Sequence, residues 1–136
     1  MPCWLVKTEP STYSFQDLRR DRKTRWDGVS NAQAQANLRA MREGDEVLVY
    51  HSGEKAAVGL ARVARDPYPD PGDPTGKRVA VDLGAGLALG IPVTLEVLRE
   101  EKTFEGSPLL RQGRLSVVPI TAAQWRVLLR LGGVRR

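Results

Sequence analysis

The chain has 136 residues, with one cysteine, Cys3, and one histidine, His51. That length suits a single domain, residues 1–136, with a sizeable core. The lone thiol excludes an internal disulfide and a cysteine-rich zinc site, and the lone imidazole argues against a multi-histidine metal centre. Net charge is +5, from 21 basic and 16 acidic residues, and 16 of the basic residues are Arg. Guanidinium forks suit phosphates and planar groups, so the balance is compatible with a nucleic-acid partner. The basic residues cluster at 19–25, 111–114 and 126–136. No apolar run reaches membrane-span length, and the N-terminus is too poor in apolar residues for a signal peptide. The expectation is a soluble, cytoplasmic, monomeric protein in a reducing compartment, without metal or cofactor and without a membrane partner.

In chain order, Trp4-Leu5-Val6 reads as a short buried strand, ended by Pro10, which leaves Lys7, Thr8 and Glu9 at a strand end. Ser14 with Asp17 resembles a capping box, and Phe15 and Leu18 form the inward face of the short helix that follows. Arg19 to Arg25 reads as a basic loop. Trp26-Asp27-Gly28-Val29-Ser30-Asn31 is a polar turn headed by a large ring. Gly28 allows positive φ, and Ser30 or Asn31 caps the next helix. Ala34, Leu38 and Met41 lie on one face of that helix, with Gly44 as its stop signal.

Residues 46–50 form a strand that delivers Tyr50, His51 and Ser52 to its end, and 51–57 connect it as a hairpin to a strand at 57–63. Residues 66–74 hold four prolines and a glycine and read as a loop. Residues 78–83 alternate with period 2 as a half-buried strand. Residues 84–90 read as a small, flexible stretch, and 91–93 return as a short extended piece. Thr94 caps a helix carrying Leu95 and Leu98. Phe104 anchors the loop at 100–106, and Ser107-Pro108 starts a single helical turn. Residues 114–118 form a strand stopped by Pro119. Thr121 with Gln124 is a capping box for a last helix that buries Trp125, Leu128 and Leu129. About six short strands among short helices, without a βαβ rhythm, imply an α+β fold: a mixed sheet curled into a barrel, with helices packed at its ends.

For nucleophilic catalysis, His51 and Ser52 are neighbours on a strand and point to opposite faces, and no Gly-x-Ser-x-Gly elbow exists. The glycines at 72–78 and 84–90 lack Walker or dinucleotide spacing. Three polar or aromatic clusters fall at strand ends or turns: Lys7-Thr8-Glu9, Trp26 to Asn31, and Tyr50-His51-Ser52. If the barrel gathers them, they offer a stacking ring, several donors and a carboxylate, an inventory suited to a planar heterocycle. Basic residues at the rim would hold flanking phosphates. The plainer reading is that Trp26 fills a gap under its loop, Trp4 and Tyr50 belong to the core, His51 serves a local hydrogen bond and Glu9 pairs with an arginine.

The motifs Trp4-Leu5-Val6-Lys7-Thr8-Glu9-Pro10, Trp26-Asp27-Gly28-Val29-Ser30-Asn31, Gly44-Asp45, Tyr50-His51-Ser52, Val58-Gly59, Tyr68-Pro69-Asp70, Pro92-Val93-Thr94-Leu95, and Leu109 through Arg114-Leu115-Ser116-Val117 follow one another along nearly the whole chain. In that order they closely resemble the EVE domain family. The resemblance implies a PUA-like fold and binding of DNA or RNA carrying a modified base, such as a modified cytosine, held extrahelically in a pocket. On these motifs Trp26 is the stacking wall. Lys7, Thr8, Glu9, Asn31 and Ser52 read the base edge, and Tyr50, His51 and Tyr68 shape the pocket. Arg114, Leu115 and Ser116 close its far side, and Arg19, Arg20 and Arg25 hold phosphates. Two positions depart from the family pattern: Thr8 replaces the usual Ser, and Ser30 replaces the usual Arg. A non-catalytic reader is the expectation. An enzyme acting on a nucleobase or nucleotide, or a small-molecule sensor using the same pocket, is the alternative.

Overall fold

The computed structural model describes residues 2–134; Met1, and Arg135 and Arg136 of the C-terminal basic cluster, lie outside the described residues. Six strands form one mixed sheet: β1 (Cys3–Thr8), β2 (Lys23–Trp26), β3 (Glu46–His51), β4 (Ala56–Pro69), β5 (Val79–Thr94) and β6 (Val117–Ile120), in the order β2-β5-β4-β3-β1-β6. All neighbouring pairs are antiparallel except β1 and β3, which run parallel with Lys7 beside Tyr50 and Thr8 beside His51. Five helices connect them: α1 (Phe15–Asp21), α2 (Ala32–Ala40), α3 (Leu95–Arg99), α4 (Pro108–Arg111) and α5 (Ala122–Leu131), with a 3-10 turn at Lys102–Phe104. This is the curled mixed sheet with short helices that the pattern of strands implies.

Local chemistry starts the helices. Ser14 and Thr121 each form a full capping box, with Asp17 and Gln124. Thr94, Ser107 and Asn31 cap α3, α4 and α2 through side-chain oxygens. Each such cap is worth about 1 kcal/mol. Phe15 and Leu18 of α1 are buried against the sheet, and the Phe15 ring lies over Gly59 of β4. A Cβ at Gly59 would sit 2.2 Å from Phe15 Cζ, so this seat exists only because the side chain is absent.

α2 closes the curl, packing on both β5 and β6. Gln35 reads the exposed end of β5 as a strand would: its Oε1 accepts from Val79 N (2.9 Å), and its Nε2 donates to Val79 O (3.1 Å) and to Val29 O (2.8 Å). Asn37 Nδ2 donates to Val117 O of β6 (2.7 Å). Edge groups left open by the sheet are thus taken up by amide side chains.

Five stretches differ from the expectation. Arg19 to Arg25 is not a loop. Arg22, at φ 67°, reverses the chain after α1, and residues 23–26 pair with β5. Lys23 and Arg25 face water while Trp26 is buried, so this is an amphipathic edge strand. Residues 66–69 belong to β4, whose pairing with β3 ends at Arg62. Pro67 and Pro69 therefore sit on an open edge that needs no N–H. Residues 79–94 form one strand, with several register shifts against β4. Gly86 is required there because a Cβ would come within 2.8 Å of Leu60 O. Pro119 lies within β6, an edge strand that tolerates it. α2 also stops at Ala40, with Met41 as its buried cap, and Gly44 (φ 94°) turns the chain into β3.

Candidate functional site

The curl brings the end of β1 to face the end of β2, and a cleft of about 690 Å³ opens between them. Lys7 and Thr8 come from β1, Thr12 and Tyr13 from the turn before α1, and Thr24, Arg25 and Trp26 from β2. The loop 27–31 and the pair Arg114 and Ser116, just ahead of β6, complete the lining.

Each wall is tied down. The Lys7 backbone N–H donates to Ser116 O (2.9 Å), and its Nζ donates to Gly113 O (3.0 Å) and lies 5.4 Å from the Tyr50 ring centroid. Burial lowers the pKa of this amine. Thr8 Oγ1 donates to Tyr13 O (2.7 Å). The Tyr13 ring meets Trp26 edge-on, with centroids 6.3 Å apart and planes at 81°, and its hydroxyl donates to Asp21 Oδ2 (2.8 Å). Burial first, and Asp21 with it, raises the Tyr13 pKa, so the phenol stays a donor.

The loop is pinned from below. Gly28, at φ 71°, donates its N–H to Asp70 Oδ2 (3.1 Å). Asp70 is buried in the turn after β4 and accepts a second backbone bond from Gly72 (2.8 Å) on Oδ1. Val29 O is held by Gln35, and Asn31 Oδ1 accepts from Ala34 N (2.9 Å). Arg25 Nε and Asp27 Oδ2 pair across the rim at 2.9 Å. Ser30 and Arg114 are exposed, and their side chains make no hydrogen bond among the described residues.

Of the residues expected at a base pocket, Lys7, Thr8, Trp26, Asn31, Arg114 and Ser116 border the cleft, as does Arg25 of the expected phosphate set. The others do not. Tyr50 is buried behind Lys7. His51 Nε2 accepts from Phe15 N (3.0 Å) and its Nδ1 donates to Glu54 (2.7 Å), so the ring secures the first turn of α1. Ser52 and Glu9 bond one another at 3.4 Å beside Gly53. The Tyr68 hydroxyl donates to Asp82 under a stacked Arg65, on the outer face of the sheet. Leu115 is core. Arg20 is locked to Asp17 and Asp21, and Arg19 lies along α1, away from the cleft.

Thr12, Tyr13 and Thr24 border the cleft without having been anticipated, while Asp27 and Val29 do so as part of the expected Trp26 to Asn31 stretch. Tyr13 carried a readable signal, since it is an aromatic in a non-periodic stretch between Pro10 and the Ser14 cap. Asp70 carried none, because its bond to Gly28 spans 42 residues. Among the described residues, no three His, Cys, Asp or Glu side chains gather as metal ligands.

The curled six-stranded sheet with short helices, carrying a hydroxyl-rich, aromatic cleft at a strand end, is the α+β architecture expected of a PUA-like fold. The EVE domain family model matches residues 2–131, and the chain belongs to that family. The NMR structure of Rpa0253 from Rhodopseudomonas palustris superposes with a TM-score of 0.92 at 40% identity, covering 98% of this chain and 94% of that one. The crystal structure of human THYN1 in complex with 5-methylcytosine containing DNA superposes with a TM-score of 0.83 at 27% identity, covering 100% of both chains. In sequence, thymocyte nuclear protein 1 of Homo sapiens is 40% identical over an 80-position alignment that covers 49% of this chain and 36% of that protein.

Proposed function

We propose that this protein is a non-catalytic reader of a modified base in nucleic acid, taking the base into the cleft beside Trp26 and Tyr13. The observation that carries this reading is the cleft itself. Two rings stand at right angles, ringed by the hydroxyls of Thr8, Thr12, Thr24 and Ser116, with Lys7, Arg25 and Arg114 at the border. It lies on a fold shared over its full length with a human protein solved on 5-methylcytosine containing DNA. Its volume falls within the ~300–1,000 Å³ typical of small-ligand pockets.

A base stacked on an aromatic wall gains roughly 1–3 kcal/mol. Hydroxyls both donate and accept, so they can meet either edge of a heterocycle. Val29, buried at the lining, offers an apolar contact for a base methyl group. Extruding a base costs a few kcal/mol, least from a single strand. The commitment of His51 to Phe15 and Glu54 supports binding over turnover, because the one imidazole is spent on structure.

The test is anisotropy binding to oligonucleotides that differ only in one cytosine, 5-methylcytosine or 5-hydroxymethylcytosine, as DNA and as RNA. A modified base should bind tighter. Trp26→Ala should lose about 5- to 150-fold, the equivalent of a stacking loss of roughly 1–3 kcal/mol. Equal affinity for all bases, or indifference to Trp26→Ala, would refute the reading.

A further inference from the structure

The outer face of the sheet beside the cleft carries a patterned charge. In β2, Lys23 and Arg25 point to water while Trp26 points inward. Strand register sets Lys23 beside Gly84 of β5, and Gly84 beside Arg62 of β4. It sets Arg25 beside Asp82, and Asp82 beside Arg65. Two adjacent cross-strand rows thus hold Lys23 with Arg62, and Arg25 with Arg65, all four exposed, and the first row runs on to Glu46 of β3 beside Arg62. The acid between the arginines is engaged: Asp82 is half-buried and accepts from the Tyr68 hydroxyl. The Arg65 guanidinium carbon lies over the Tyr68 ring, 4.0 Å from its centroid, which holds the guanidinium in place on the face. Gly84 leaves the other row without a side chain between Lys23 and Arg62.

The rows lie two residues apart along β2 and β5, about 7 Å, and three apart along β4, where the register shifts between Val63 and Arg65; the spacing of about 7 Å is on the scale of one nucleotide step in an extended strand. Arg25 belongs to the second row and also lines the cleft. The basic face therefore reaches the border of the site, but Arg25 there is paired with Asp27, as Arg20 on α1 is with Asp17 and Asp21, so the contacts along the face fall to Lys23, Arg62 and Arg65.

We infer that the outer face of β2, β5 and β4 is the track for the phosphates of the strand whose base enters the cleft, with Lys23, Arg62 and Arg65 as its contacts. The inference rests on the reader function for its ligand. The partner is a single strand of DNA or RNA held through its backbone, so this face adds affinity and salt dependence but no base preference.

The experiment compares three proteins on an oligonucleotide of about 12 nucleotides, within the ~4–16 of single-strand sites, with and without one 5-methylcytosine, over a salt series. They are the wild type, the track variant Lys23→Gln/Arg62→Gln/Arg65→Gln, and a control with the same charge change, Arg99→Gln/Lys102→Gln/Arg126→Gln, on exposed positions of α3, the 3-10 turn and α5. Circular dichroism and melting confirm that all three fold. Three lost contacts should flatten the log K against log salt slope by about 2, at about 0.7 per single-strand phosphate. The ratio of modified to unmodified affinity should stay unchanged, and the control should keep the wild-type slope. A track variant indistinguishable from wild type or from the control overturns the track. In that outcome a base preference lost on Trp26→Ala still leaves the reader standing. A flattened slope with no base preference in the wild type upholds the track and removes the reader. A wild type that binds no oligonucleotide overturns both.

Discussion

Asp70 ties the cleft loop to the turn after β4, and Asp70→Asn is the informative perturbation. Its carboxylate accepts from Gly28 N with one oxygen and from Gly72 N with the other. Bonds to a charged group are worth about 1.5–3 kcal/mol each. Asparagine keeps one acceptor oxygen and turns an amide N–H toward the other backbone donor, so about one such bond is lost. For a domain of total stability ~5–15 kcal/mol, that corresponds to a fall in Tm of roughly 5–10 °C. Because Gly28 sits in the loop that lines the cleft, the loss should also weaken oligonucleotide binding and raise amide exchange at Gly28. Asp70→Ala should cost more than Asn, since both donors lose their partner. The measurements are thermal melting, hydrogen exchange and anisotropy. A variant that melts with the wild type and keeps Gly28 as slowly exchanging would show that Asp70 does not hold the loop.

Three further outcomes follow from the geometry. Gly59→Ala should destabilise by about 1–3 kcal/mol, the cost of overpacking, because its Cβ meets the Phe15 ring; denaturant titration reads this, and Phe15→Leu in the same chain should recover part of it. His51→Ala should cost about 1–3 kcal/mol by orphaning the buried Phe15 N–H, while leaving base preference unchanged, because the ring does not border the cleft; an altered preference contradicts this placement. Burial, then the bond to Asp82, pushes the Tyr68 phenol from its ordinary 10.0 up to about 12. A raised pKa makes a contribution to stability that is full below pH 10.0 and is lost as pH climbs through about 12. Tyr68→Phe should therefore show a shallower alkaline loss of stability, and a decline identical to wild type over that window counts against the assignment.

The helix starts were legible because capping is local. Ser14, Thr94, Ser107 and Thr121 each act within three residues of themselves. The core face of α1 was legible for the same reason. The strand lengths were not, because pairing partners decide them. β5 runs unbroken through a stretch rich in Gly and Ala, since β2 and β4 flank it, and the prolines of β4 and β6 fall on edges that no local pattern marks. The cleft was half legible. Lys7 and Thr8 were placed at a strand end and Trp26 at a turn, and these do converge. Tyr50 to Ser52 end the neighbouring parallel strand, so they fell in the same reading, yet their side chains turn to the core, to α1 and to Glu9. Convergence of strand ends is a property of topology, and the direction of each side chain within it is a property of register and curl.

The amides of α2 have a consequence for solubility. Gln35 and Asn37 clip the exposed end of β5 and the outer edge of β6, and Asn31, which starts α2, belongs to the cleft wall. Fraying of α2 would bare two strand edges to other chains and slacken the cleft in the same event. A ligand that gathers loop 27–31 against the end of β1 therefore also guards the sheet against edge-to-edge aggregation, so occupancy of the site and resistance to self-association should rise together.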